Sequence, residues 1–97
     1  MTMQTATALY TIMVELFLQY DPVTSPKENP ESIYQLEAKR MLLFPELFED
    51  ETRLAEGIYA VFASVAGTQN IRPLYDPVYA VLSSEIFKAK SYLEAVA

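Results

Sequence analysis

Residues 4–20, QTATALYTIMVELFLQY, carry a single charge, Glu15, along their whole length. Placed at helical spacing, Leu9, Ile12, Met13, Leu16, Phe17 and Tyr20 form one broad apolar arc with Tyr10 at its edge. Val14 and Leu18 carry the apolar character further round, and Thr7, Thr11, Glu15 and Gln19 leave only a narrow polar seam. A helix that is apolar around most of its circumference is buried on more than one side. The expectation is therefore the central helix of a bundle, or a helix covered partly by a second subunit. Spanning a bilayer takes about 20 consecutive, mainly apolar residues. This stretch is shorter, holds Gln4, Glu15 and Gln19, and is preceded by no basic segment of the kind that opens a signal peptide. It reads as soluble core, with no membrane partner.

Helix breakers divide the rest of the chain. Pro22, Pro26 and Pro30 close the first helix and open the second, with Asn29 as N-cap, Pro30 in the first helical position and Glu31 in the first turn. The second helix, about 30–44, carries two apolar stripes. One is Ile33, Leu36, Leu43 and Phe44 with Arg40 in its middle; the other is Tyr34, Ala38, Met41 and Leu42. Two stripes imply contact on two sides, with the Arg40 stem packed and its head at an edge, and a solvated pair between Glu37 and Arg40. Pro45 ends this helix. Residues 46–49 then form a turn whose Leu47 and Phe48 plug the end of the bundle, and Asp50 caps the next helix.

The third helix, about 51–66, has a core stripe of Leu54, Ile58, Val61, Phe62 and Val65. Gly67 stands where a left-handed residue ends it. Ile71 and Leu74 pin the following connection to the core, and Asp76-Pro77 starts the fourth helix, about 77–96. That helix lines up Val78, Leu82, Ile86, Ala89, Leu93 and Val96, widened by Val81 and Tyr92, with Phe87 directed away. The predicted architecture is all-α: one compact, four-helix bundle-like domain over residues 1–97. One internal echo stands out, since Tyr20-Asp21-Pro22-Val23 recurs as Tyr75-Asp76-Pro77-Val78, and residues 9–13 resemble residues 58–62. The unequal spacing of the two pairs favours coincidence over duplication.

Composition excludes several function classes. The chain has no cysteine and no histidine, so disulfides, thiolate or imidazole metal sites and Ser–His or Cys–His nucleophiles are absent. Two glycines cannot build a phosphate-cradling loop. Thirteen acids against seven scattered bases, a net charge of −6, argue against nucleic acid. The acids at Glu46, Glu49, Asp50 and Glu51 lack the spacing of a calcium loop and suit a solvated helix start. No catalytic, cofactor-binding or metal site is assigned, and a reducing, cytoplasmic setting is expected.

What the sequence does offer is helix surface. On the fourth helix Ala80, Ser84, Phe87 and Ser91 fall at i, i+4, i+7 and i+11, and the third helix repeats that spacing in Arg53, Gly57, Ala60 and Ser64. Small residues around one phenylalanine allow close helix approach. The first expectation is thus a non-enzymatic interaction or regulatory protein, a homodimer or a module docking on another helical protein, with Gly57, Ala60, Ser64, Ala80, Ser84, Phe87 and Ser91 as its interface. The alternative is a small-molecule binder with a tyrosine-lined pocket drawn from Tyr10, Tyr59 and Tyr92 with Glu15 and Glu85. A remoter one is an enzyme using Glu15 or Glu85 as a carboxyl with a raised pKa.

Overall fold

The structure, a computed structural model, describes residues 1–96. Four helices account for the fold: α1 (Met3–Tyr20), α2 (Pro30–Leu42), α3 (Glu51–Ala66) and α4 (Pro77–Val96). No strand occurs among the described residues. The helices form a closed ring in which α1 packs on α2, α2 on α3, α3 on α4 and α4 back on α1. The α1–α3 diagonal is bridged by side chains. Phe17 of α1, Tyr34 of α2 and Phe62 of α3 meet at ring centroid distances of 5.1 to 6.0 Å, the Phe17–Phe62 pair edge to face across the diagonal. Leu9, Met13, Met41, Leu54, Ile58, Leu82 and Ile86 complete the core and are fully buried.

The helix boundaries follow from local chemistry. Asn29 Oδ1 accepts from the Ser32 amide at 3.1 Å and Asp50 Oδ1 from the Arg53 amide at 2.9 Å, each satisfying a donor that the first turn leaves open. Thr2 caps α1 in the same way, accepting from the Thr5 amide at 3.1 Å. α2 stops at Leu42, short of the expected Phe44, because Pro45 pushes the preceding residue out of the helical region. A 3₁₀ turn, Pro45–Glu49, comes next and seats Phe48 in the core. Gly67 has a φ of 88°, and its amide donates to Ala63 O at 3.0 Å to close α3.

The two long connections meet. Val23 and Ile71 form an isolated antiparallel bridge, flanked by Thr24 N to Asn70 O at 2.7 Å and Arg72 N to Pro22 O at 3.0 Å. Side chains tie this clip to the helices. The Tyr34 hydroxyl donates to Asp21 and accepts from the Val23 amide, while Lys27 Nζ lies 3.1 Å from Asp21 Oδ1 and donates to Val23 O. Tyr79 of α4 donates to Arg72 O. Ile71 is buried as expected, but Leu74 is exposed, since the pairing with residues 22–24 holds this loop in place without it.

Two other expectations change. α1 is no central helix: it occupies one corner of the ring with two neighbours, like the other three. Val14, at the far side of its apolar arc, is buried, whereas Leu18 is exposed. Phe87 does not stand away from the core but packs against it, half-buried. α4 is flanked by α1 and α3, so its buried arc is wider than one stripe and also takes in Tyr79 and Ser83. The echo of Tyr-Asp-Pro-Val resolves into opposite roles. Asp21 ends α1 in the left-handed conformation with a φ of 48°, whereas Asp76 starts α4 by accepting from the Val78 amide at 2.9 Å.

Candidate docking face on the second helix

Among the described residues α2 packs against α1, α3 and the 3₁₀ turn that follows it, and one flank of its circumference is left exposed. Of its two stripes, Tyr34, Ala38 and Met41 are buried. The other stripe, with Leu43 and Phe44 just past the helix end, stays largely uncovered. Leu36 is 42 % exposed, Leu43 75 % and Phe44 49 %, with Ile33 half-buried beside them. A groove runs along each side of this ridge. Toward α3, Arg40, Leu43, Phe44, Ala60, Val61 and Ser64 enclose a volume of about 540 Å³. Toward α1, Met3, Ala6, Thr7, Tyr10, Lys39 and Leu42 enclose about 280 Å³. Each groove is lined by one charged residue, and each of those is basic. Arg40 reaches over its groove to donate to Ser64 Oγ at 3.4 Å, and neither Lys39 nor Arg40 makes an ion pair among the described residues.

Glu37 lies one turn before Met41 on the inward side of α2. It is fully buried, and neither carboxylate oxygen has a hydrogen-bond partner. Burial pushes its pKa up from 4.5 to about 7, the Arg40 charge opposing only part of the shift. The expected solvated Glu37–Arg40 pair is therefore replaced by a split: the acid faces the core and the base faces out. Periodicity could not separate them, because residues three apart lie close on the wheel and the boundary of the buried arc passes between them.

The residues singled out from sequence fall in several places. Ala60 and Ser64 line the α2–α3 groove. Gly57 does not join them on the surface. It is buried, and a Cβ there would meet both Leu47 methyls at 3.0 Å, so its missing side chain serves the packing of the 3₁₀ turn within the chain. On α4, Ala80 and Ser91 are exposed, while Ser84 and Phe87 are half-buried.

The tyrosine pocket does not assemble. Tyr10 lines the α1–α2 groove, whereas Tyr59 stacks edge to face on Tyr79 at 5.5 Å. Tyr92, Glu15 and Glu85 are exposed, with Glu15 on a different helix from the other two. The phenols that are buried, Tyr34 and Tyr79, are bound to Asp21 and to a backbone carbonyl. Burial raises both, Tyr34 further with help from the Asp21 hydrogen bond, and Tyr79 to about 12 with help from Tyr59 and Asp76.

No described helix is long and apolar enough to cross a membrane. Nor, among the described residues, do three or more carboxylates gather where they could hold a metal ion. Compared with known proteins, the chain matches no family model, and no curated protein or solved structure resembles it significantly.

Proposed function

We propose that this protein is a small helical docking module and that the outer face of α2, with the grooves on either side, is where another helix binds. The observation that carries the reading is Leu43, three-quarters exposed on a ridge shared with Leu36 and Phe44. Large apolar side chains scattered singly on a surface need no explanation, but a contiguous set flanked by grooves marks an interaction site. Helix recognition in a groove uses anchors at i, i+3 or i+4 and i+7, and Leu36, Arg40 and Leu43 present that spacing from this side. The small residues Ala60 and Ser64 let an incoming helix approach α3 closely, which keeps part of the interface expected from sequence and moves its centre from α4 to α2.

A photo-crosslinking residue at Leu43 tests this, with one at Glu15, on the exposed polar seam of α1, as control. Adducts at Leu43 and none at Glu15 are expected in native lysate. The segment recovered from the adduct, made as an isolated peptide, should bind the unaltered protein and not the Leu43→Asp variant. Equal adducts from both positions, or none from Leu43, would remove the α2 face as the site.

A further inference from the structure

We infer that the helix received by the α2 face is an amphipathic one whose apolar stripe is flanked by carboxylates, supplied by a different protein rather than by a second copy of this chain. The inference rests on the α2 face being the docking site and concerns the chemistry of its occupant. The protein as a whole carries −6, yet the charges lining the two grooves are Lys39 on one side and Arg40 on the other. Both are exposed and neither has a carboxylate within ion-pair distance among the described residues. A surface this acidic elsewhere, with two uncompensated bases straddling an apolar ridge, is complementary to a stripe of leucine-like side chains edged by Glu or Asp.

Symmetry disfavours the second copy. A two-fold contact sets a patch against itself. Pairing α2 antiparallel so that Leu36 of each copy covers Leu43 of the other brings Lys39 against Arg40 across the axis. Parallel pairing sets Lys39 against its own image. Either arrangement that buries the ridge juxtaposes like charges at its centre, whereas an acid-edged partner neutralises both. An anionic membrane would also meet Lys39 and Arg40, but it repels a molecule of this net charge.

Two labelled synthetic peptides test the inference. Both carry the same leucine stripe at helical spacing, one flanked by glutamates and the other by lysines, and binding is followed by fluorescence anisotropy. The glutamate-flanked peptide is expected to bind, and the lysine-flanked one at least about tenfold more weakly, the scale of two partly exposed charge pairs. The double variant Lys39→Glu/Arg40→Glu should reverse that order, and added salt should narrow it. Both substitutions are at exposed positions, and circular dichroism is to be recorded to check that the variant folds. Equal binding of both peptides, abolished by Leu43→Asp, would overturn the acidic partner while leaving the docking face intact. Binding of neither peptide, or binding only to phosphatidylserine vesicles, would also overturn it. So would a concentration-dependent dimer that Leu43→Asp dissolves in sedimentation.

Discussion

Burial of the Glu37 carboxyl predicts a contribution to stability that favours acid over neutral pH. The carboxyl is fully buried with both oxygens unpartnered, and its pKa stands at about 7 against an ordinary 4.5. In the unfolded chain the group has lost its proton above the ordinary value, while the folded protein retains it up to about 7. Between those limits the folded state binds more protons, so stability falls as pH rises and levels off once Glu37 ionises in both states. The full difference is up to about 3 kcal/mol, less whatever relaxation the charged form finds. Urea denaturation of the unaltered protein against Glu37→Gln should give similar stabilities near the lower limit and a more stable variant above pH 7. A constant difference across the window would show that Glu37 is not held neutral by burial. Tyr34 offers a second residue-level measurement. Tyr34→Phe keeps the ring among Phe17 and Phe62 but removes the hydroxyl that links Asp21 to the Val23 amide. A loss of roughly 1–2 kcal/mol is expected, with an unchanged denaturant slope, since the packing of the core is untouched.

At the scale of elements, the third helix and the 3₁₀ turn before it are fitted to each other through Gly57 and Leu47. Alanine is worth about 1 kcal/mol more than glycine inside a helix, yet a methyl at residue 57 would press on both Leu47 methyls at 3.0 Å. Gly57→Ala should therefore be neutral or destabilising alone and stabilising by up to about 1 kcal/mol in a Leu47→Ala background. Additive effects in that double-mutant cycle would mean that the contact does not explain the glycine. The same elements show what a sequence conveys. The helices were legible because caps and prolines are local: Asn29-Pro30, Asp50 and Asp76-Pro77 each act on their own first turn. The two stripes of α2 were legible too, since periodicity needs only the chain itself. Which stripe turns inward is decided by α1 and α3, so periodicity alone does not sort Glu37 from Leu43, and it directs Phe87 of the fourth helix away from a core against which the side chain is in fact half-buried. The clip between Val23 and Ile71 had no local signature, because its partners lie far apart in sequence.

Taken as one molecule, the ring of helices assigns its phenylalanines to different tasks. Phe17 and Phe62 are fully buried and join opposite corners of the ring, whereas Phe44 lies half outside on the α2 ridge beside Leu43. A domain of 97 residues has roughly 5–15 kcal/mol of stability in all. Phe62→Ala removes a large buried ring and leaves a void beside Phe17 and Tyr34, a change that costs about 3–5 kcal/mol. That is a large share of the total, so the variant should show a thermal midpoint lower by roughly ten degrees or more, on the order of the shift such a loss gives in a domain this size. Leu43→Asp removes a side chain that the fold does not enclose and should change stability by no more than an ordinary surface substitution, about 0.5 kcal/mol, a shift of the midpoint by at most about 4 °C. The contrast is measured by differential scanning calorimetry on the two variants. If Leu43→Asp proved as damaging as Phe62→Ala, the α2 ridge would be part of what holds the isolated chain together, and it would not be free surface kept for a second protein.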